Sequence, residues 1–290
     1  MLIIHFIHMS NIKKFLLTSR YNKPHGIFLL FFPCIWGIFL NKINISEEIL
    51  LCIIFFIGAC GMRALGCIWN DYNDKDFDRK VKRTKNRLIA SNKVNKKEII
   101  TYSFINLLIG TIPLYFIPIH SIFISFCVIP LILIYPFMKR ITWWPQLWLG
   151  LCYNWGILVG YSIYNKHLFS IELFLFYSGS VLFTIGYDTI YGYQDLKDDQ
   201  VIGVKSTSLK FKSNPKLFLF NIYMSAFALW ISSLFFLNKS NLTILLVIIS
   251  CLLILIKVLK TNVNIVLDCM KTFNYNSYFS LAIMCILVAS

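Results

Sequence analysis

The stretch Asn70-Asp71-Tyr72-Asn73-Asp74-Lys75-Asp76-Phe77-Asp78 ends a long apolar run with a concentration of carboxylates. Asn70, Asp71, Asp74 and Asp78 follow the spacing N-D-x-x-D-x-x-x-D. At about 100° per residue on a helix, these four lie within an arc of about 100°, and Asp76 falls outside it. A second acidic stretch runs from Asp188 to Asp199, and the same helical wheel puts Asp188, Asp195 and Asp199 on one face. The two windows hold eight of the chain's 13 acidic residues. Carboxylates segregated in this way within an apolar chain point to a divalent cation.

The rest of the sequence gives these windows their setting. The 290 residues are 58% hydrophobic and only 14% charged, the composition of a polytopic membrane protein. Apolar runs place spans at 25–41, 49–69, 99–117, 120–138, 145–163, 168–188, 216–237, 241–259 and 273–289. The expected fold class is therefore all-α: a membrane helical bundle of about nine transmembrane helices around a central cavity. Residues 1–24 read as a cytoplasmic amphipathic arm, and 25–290 as a single transmembrane domain. Met1–Met9 is too short for a signal peptide and has no basic stretch before it.

Threading nine spans puts alternate loops on one side of the bilayer. Of the 28 Lys and Arg residues, 24 then fall on the N-terminal side. Lys42, Lys166 and Lys239 fall opposite, and Arg63 lies inside a span. The positive-inside rule places the N-terminus and both acidic windows on the cytoplasmic side. The net charge of +15 has this origin, so nucleic acid is not the implied partner and the lipid bilayer is. Nine cysteines lie in or beside apolar runs with no C-x-x-C pair, which reads as core packing rather than metal or redox chemistry. The five histidines show no ligand spacing.

Mg²⁺ prefers oxygen ligands and binds through one or two carboxylates plus substrate phosphates. Two carboxylate clusters at one membrane face suit a diphosphate held by such ions. Asn70, Asp71, Asp74, Asp78, Asp195 and Asp199 are the candidate metal ligands, with Asp188 as a further catalytic carboxylate. The cations Lys82, Arg83 and Arg87 after the first window, and Lys205 after the second, suit the charge of a departing diphosphate. Arg63 lies seven residues before Asn70, on nearly the same helical face and about 10 Å deeper. An arginine within a span marks a function or a buried partner. Tyr187, Tyr191 and Trp69 are aromatics placed to line a cavity and face a carbocation. No G-x-x-x-x-G-K-[ST] loop is present, which argues against nucleotide hydrolysis.

Asn70–Asp78 followed by Val81-Lys-Arg-Thr-Lys-Asn-Arg87 resembles the first aspartate motif of the UbiA-type intramembrane prenyltransferases, in particular the branch acting on 4-hydroxybenzoate. Other stretches agree: Lys23-Pro-His-Gly26, Pro33-Cys-Ile-Trp36, Met62-Arg-Ala-Leu-Gly-Cys67 and Tyr135-Pro-Phe-Met-Lys-Arg140. So does Tyr187-Asp-Thr189 through Gly203-Val-Lys-Ser-Thr207. The resemblance runs in order from about residue 20 to 210. It implies Mg²⁺-dependent transfer of a polyprenyl chain from polyprenyl diphosphate to the ring of 4-hydroxybenzoate, a step of ubiquinone biosynthesis. The implied setting is the bacterial inner membrane or the mitochondrial inner membrane, with the site facing cytoplasm or matrix. It also implies that Arg140, with Lys139, meets the carboxylate of the aromatic acid. The family's usual Pro after Arg87 and Gly after Ser91 are replaced here by Leu88 and Asn92. Two other readings are a related enzyme using a naphthoate or a haem as acceptor, and a cation transporter. A transporter calls for acidic groups at mid-span, whereas Glu47, Glu48, Glu98, Glu172 and Asp268 lie near span ends.

Overall fold

The computed structural model describes residues 10–41, 43 and 45–290, and among these it contains helices and no strands. The stretch Met1–Met9 and Lys42 lie outside the described residues. A short helix α1 (Asn11–Thr18) precedes α2 (His25–Leu40) and the long α3 (Ile45–Asp78). Then come α4 (Lys96–Thr111), which continues as a 3₁₀ turn to Tyr115, α5 (Ile119–Cys127) and α6 (Ile129–Ile141). They are followed by α7 (Pro145–Ser162), α8 (Ile171–Gly192), α9 (Leu196–Ile202) and α10 (Thr207–Lys210). The chain ends in α11 (Pro215–Phe236), α12 (Asn241–Lys260) and α13 (Val266–Val288).

Local chemistry sets these boundaries. Asn95 and Glu98 form a reciprocal capping box at the start of α4, and Ser170 and Ser240 cap α8 and α12 with their hydroxyls. Proline opens α7 and α11, where its missing N–H costs nothing. Gly203, at φ 79°, ends α9 in the left-handed conformation that glycine alone adopts freely.

Six stretches among the described residues are long and apolar enough to cross a membrane. They are Glu48–Asp78, Lys96–Tyr115, Ile119–Ile141, Ile171–Ile202, Pro215–Phe236 and Asn241–Lys260. Six of the nine expected spans coincide with these stretches. Helices also form at the other three expected positions. Of these, α2 is shorter, at 16 residues, or about 24 Å. The remaining two, α7 and α13, carry polar residues toward neighbouring helices. α7 buries Gln146, Asn154 and Ser162, and α13 buries Thr272, Asn276, Ser277 and Ser280. Helices that face protein need not be as apolar as those that face lipid.

Six helices close a ring through the neighbouring pairs α2–α3, α3–α6, α6–α7, α7–α8, α8–α13 and α13–α2. α11 and α12 pack outside α8 and α13, and α4 packs outside α3. At one end α2 and α7 cross the ring and touch. A Cβ on Gly37 would overlap the Ile157 carbonyl, and one on Gly160 would overlap the Cys34 carbonyl. Only glycine permits this approach. Beside the crossing, Trp36 meets Trp230 edge-on at 5.5 Å and Phe176 stacks on Trp230 at 5.6 Å. The indole N–H of Trp230 donates to Ser180 Oγ at 2.9 Å. Lys239, buried at the same end, donates to the carbonyl of Phe39 at 3.0 Å, where the α2 dipole favours a cation. This closely packed end is the floor of the ring. Its other end, the rim, carries the C-termini of α3, α6 and α8 and the N-terminus of α2.

Candidate active site

At 34 residues, α3 is about 50 Å long, and its last turns stand clear of a hydrocarbon layer about 30 Å thick. Asp71, Asp74 and Asp78 are 4%, 2% and 6% exposed, while the Asp76 side chain is 71% exposed. The helix thus presents one acidic face to the ring, as the residue spacing requires. The second window differs from the expected single helical face. α8 stops at Gly192, a 3₁₀ turn covers Tyr193–Asp195, and α9 follows. Three residues at 3₁₀ pitch rotate the register by about 60°, so Asp188, Asp195 and Asp199 sit on three successive segments.

Each buried carboxylate of α3 meets cations from other elements. Asp71 accepts from Arg20, in the turn between α1 and α2, and from Arg87 at 3.1 Å. Arg87 also binds Asp78 at 2.6 Å. Lys139 at the end of α6 binds Asp74 at 2.7 Å, with Arg140 3.6 Å away on the other oxygen. Arg83 joins the two windows. Its Nε donates to Asp195 Oδ1 at 2.7 Å, its Nη2 reaches Oδ2, and its Nη1 donates to the Tyr191 hydroxyl at 2.7 Å. Burial works against the charge on Arg83, but the fork to Asp195 outweighs it, so the proton is held more tightly than usual. The backbone N–H of Lys82 donates to Asp198 at 2.7 Å, a second tie between the windows. Lys139 also lies in the field of Asp199. Asp74 and Asp195 therefore border one compartment.

Four cations, Arg20, Lys23, Arg83 and Arg87, surround Tyr191 closely enough to act on it electrostatically. Arg83 lies over its ring at 4.9 Å, and Phe273 packs against the ring at 4.8 Å. Deeper in the ring, Arg63 sits 6.0 Å from the Tyr153 ring centroid, and its Nε is buried without an acceptor. A Cβ at Gly26 would come within 2.6 Å of that Nε, which gives a physical reason for glycine in Lys23-Pro-His-Gly26. Asp188 is half-buried, makes no side-chain hydrogen bond among the described residues, and feels Arg63 and Arg83. Tyr135 and Tyr153 share its surroundings.

The chain belongs to the UbiA prenyltransferase family. Residues 30–277 match that family's model. Over 290 aligned residues the chain is 37% identical to the mitochondrial 4-hydroxybenzoate polyprenyltransferase of Dictyostelium discoideum, covering 97% of this chain and 61% of that one. It is 38% identical to the Drosophila melanogaster protein of the same description, covering 73% and 54%. It is 37% identical to 4-hydroxybenzoate octaprenyltransferase of Marinomonas sp. (strain MWYL1), covering 70% and 71%. The chain thus spans little more than half the length of the mitochondrial relatives it matches. Among solved structures, the UbiA homolog from Aeropyrum pernix K1 superposes with a TM-score of 0.69 at 21% identity, covering 91% of this chain and 97% of that one. The Archaeoglobus fulgidus homolog described as bound to GPP and Mg²⁺ gives 0.70 at 16% identity, covering 96% and 100%. These likenesses show the fold.

Within this UbiA fold the sequence-derived residues do not all gather at one point. Asp71, Asp74, Asp78, Asp195, Arg83, Arg87, Lys139, Arg140 and Tyr191 are linked at the rim. Asn70 is half-buried and makes no side-chain hydrogen bond among the described residues. Tyr187 lies one turn deeper, against Phe183 and Phe273. The Lys82 side chain is exposed. Lys205 turns to the end of α6. Its Nζ donates to the Ile141 carbonyl at 3.0 Å and its N–H to the Lys139 carbonyl at 2.7 Å, so it braces the segment that carries Lys139. Asn92 replaces the family's usual glycine at φ 55°, a conformation asparagine tolerates, and accepts from Arg79 at 2.8 Å. The loop therefore keeps its course. Arg20, Lys23, Tyr135 and Tyr153 were not among the candidate site residues read from the sequence, although Lys23 and Tyr135 open two of the family stretches. Tyr135 lies four residues before Lys139, hence on the same helical face. Arg20 carries no comparable signal.

The donor set suits a hard divalent cation, since every candidate ligand offers oxygen. Asp74 Oδ1 is buried and receives no hydrogen bond, with the Arg140 guanidinium 3.6 Å away, so it keeps a lone pair free for a metal ion. Among the described residues no three acidic, His or Cys side chains form a ready cage, because arginines and lysines stand between the carboxylates. That arrangement fits an ion bound through one or two carboxylates together with substrate oxygens.

Proposed function

We propose that this protein transfers a polyprenyl group from polyprenyl diphosphate to the carbon ortho to the phenol of 4-hydroxybenzoate, using Mg²⁺. The site would face the cytoplasm or the matrix. The observation that carries this reading is Arg83. It clamps Asp195 while its own loop continues from the first acidic face, so both windows border one compartment. The names of the relatives support the acceptor and the prenyl donor, and the Archaeoglobus fulgidus neighbour bound to GPP and Mg²⁺ supports the metal.

Asn70, Asp71, Asp74, Asp78, Asp195 and Asp199 would hold Mg²⁺, which when bound neutralises charge on the leaving diphosphate. Arg20, Lys23, Arg83 and Arg87 supply fixed positive charge around the same leaving group. The allylic C–O bond breaks, its electron pair leaving with the diphosphate. Tyr187 and Tyr191 present ring faces to the allylic cation. The floor and the aromatic core exclude water that would capture it. The phenol ring attacks to form the C–C bond, and the ring proton passes to Asp188, a carboxylate without a hydrogen-bonded partner. Arg63 holds the acceptor's carboxylate, since its buried Nε lacks an acceptor. Arg140 already donates to the Asn73 carbonyl at 2.9 Å and lies over Phe77.

The test is a membrane assay with labelled 4-hydroxybenzoate and a set of polyprenyl diphosphates, with Mg²⁺ or EDTA. Prenylated product forms with Mg²⁺ and is lost in EDTA and in Asp74→Ala. Product that persists under either condition removes the metal role.

A further inference from the structure

Among the described residues three non-glycine positions have positive φ: Arg20 at 55°, Asn92 at 55° and Asn238 at 52°. All three follow the same hydrogen-bonded turn, at the ends of α1 and α11 and in the loop between α3 and α4. At Arg20 the N–H of Tyr21 bonds the Leu16 carbonyl and the N–H of Arg20 bonds the Leu17 carbonyl. Equivalent pairs occur at Asn92, with Leu88 and Ile89, and at Asn238, with Leu234 and Phe235. This is the left-handed helix stop, whose key position takes glycine or asparagine. Two of the three stops obey that rule and one carries an arginine. A long side chain in this conformation persists where its surroundings over-determine it, and such places cluster at functional sites.

Besides the ion pair of Arg20 with Asp71, one residue dominates those surroundings. Asn106 on α4 is 0% exposed and reaches both neighbours of Arg20. Its Nδ2 donates to Ser19 Oγ at 2.8 Å, and its Oδ1 accepts from the Tyr21 hydroxyl at 2.8 Å. Nδ2 also donates to the Tyr102 carbonyl within α4, which fixes the amide. Around this clamp α1 is docked on α4 by Lys14 to Glu98 at 2.7 Å and by Phe15 against Tyr102. Asn106 touches none of the rim carboxylates.

We infer that Asn106 is a positioning residue for the prenyl-transfer site: by gripping Ser19 and Tyr21 it holds Arg20 left-handed, so that the guanidinium reaches Asp71 and the diphosphate space beside Tyr191. This rests on the function proposed above. It assigns a role to a residue one helix away from the chemistry, and to the α1–α4 contact that carries it. A span-buried asparagine whose amide, beyond one bond to its own helix, reaches only one turn serves that turn. A helix-packing role would be met by an apolar residue at lower cost.

The experiment measures binding of a polyprenyl diphosphate with Mg²⁺ to the purified full chain in detergent, and KM for each substrate. The proteins compared are the unsubstituted chain, Asn106→Ala, Tyr21→Phe, Arg20→Ala and Asn106→Ala/Arg20→Ala. Tyr21→Phe deletes one clamp bond and keeps the ring, so it reports even where Asn106→Ala fails to fold. Asn106→Ala weakens diphosphate binding about tenfold, the scale of one or two lost buried hydrogen bonds, and Tyr21→Phe weakens it less. KM for 4-hydroxybenzoate stays unchanged. With Arg20 already removed, Asn106→Ala costs nothing further, as coupled sites require. Normal diphosphate binding in both clamp variants overturns the inference and leaves the proposed function standing. So does an effect that adds fully to Arg20→Ala. Absence of binding in the unsubstituted chain removes the function and this role together.

Discussion

The two ends of the helical ring solve opposite problems. The rim buries Asp71, Asp74 and Asp78 and crosses them with arginines and a lysine from three other segments. The floor buries glycine against backbone and tryptophan against phenylalanine. Buried ion pairs are weak stabilisers, because desolvation consumes most of the attraction. Close packing of apolar groups is what makes a fold stable. Charge is thus concentrated where the proposed ligand would enter, and close packing at the opposite end. Substitutions at the two ends are expected to separate activity from folding.

The largest effect is expected at the rim. Asp195→Ala removes the carboxylate that Arg83 forks and a proposed metal ligand. Product formation should fall by about a thousandfold, the scale of losing one preorganised electrostatic contact or more. The melting temperature in detergent should hardly move, since Arg83 is partly exposed and keeps Tyr191 as a partner. Arg83→Lys should fall between the two, because a lysine keeps the charge but cannot make the two-pronged bond. Initial rates and thermal melts on the same preparations check both. A large drop in melting temperature for Asp195→Ala would mean that the rim is also a stability element.

That contrast governs what could be read from the sequence. The first acidic window was legible because one helix carries it and carboxylates are rare in so apolar a chain. The second was legible in composition but not in geometry. Nothing in Tyr193-Gln-Asp195 announces the 3₁₀ turn that rotates Asp195 and Asp199 relative to Asp188. The floor was illegible, because Gly37 and Gly160 look like any glycines until α2 and α7 are laid across each other. α7 and α13 were placed correctly as helices, yet their polar interior faces make them less apolar than helices that face lipid. Arg20 was counted only as a cation of the N-terminal arm, because its importance lies in a backbone conformation and in an asparagine 86 positions away.

A second rim test sharpens the comparison by depth. Arg140 at the surface and Arg63 within the ring are both available to the acceptor's carboxylate. Arg63→Ala should raise KM for 4-hydroxybenzoate roughly tenfold to a hundredfold, the range for a charged hydrogen bond, with KM for the diphosphate little changed. Arg140→Ala should disturb both substrates modestly, through Asp74 and Asn73. Steady-state kinetics with each substrate varied in turn decide it. The reverse pattern would return the carboxylate to Arg140, as the sequence resemblance implies.

The floor supplies the converse. Gly160→Ala puts a methyl group against the Cys34 carbonyl, and over-packing of this kind costs about 1–3 kcal/mol. The melting temperature should drop by several degrees while KM for both substrates holds in the folded fraction. Gly66→Ala is the control, since nothing lies within 4 Å of a Cβ there. A selective rise in one KM for Gly160→Ala would mean that the crossing shapes the substrate chamber as well as closing it.

The smallest expected effect concerns Lys23, the one rim cation of the Tyr191 cluster with no ion pair or side-chain hydrogen bond among the described residues. Lys23 as a whole is exposed, but its ammonium is partly stripped of water. That desolvation, and then repulsion from Arg20, Arg83 and Arg87, set its pKa below the ordinary lysine value, with Tyr191 acting the other way. An anion binds the charged form, so the contribution of Lys23 to diphosphate affinity is complete at low pH and fades as pH rises through that lowered pKa. The fading therefore begins at a lower pH than a free lysine would show. Lys23→Arg keeps the charge throughout this range, so diphosphate binding measured from neutral to alkaline pH should flatten in the variant and match the parent at neutral pH. Identical slopes in the two proteins would show that Lys23 stays outside the ligand's field, leaving the three arginines as the cations that separate the rim from the floor.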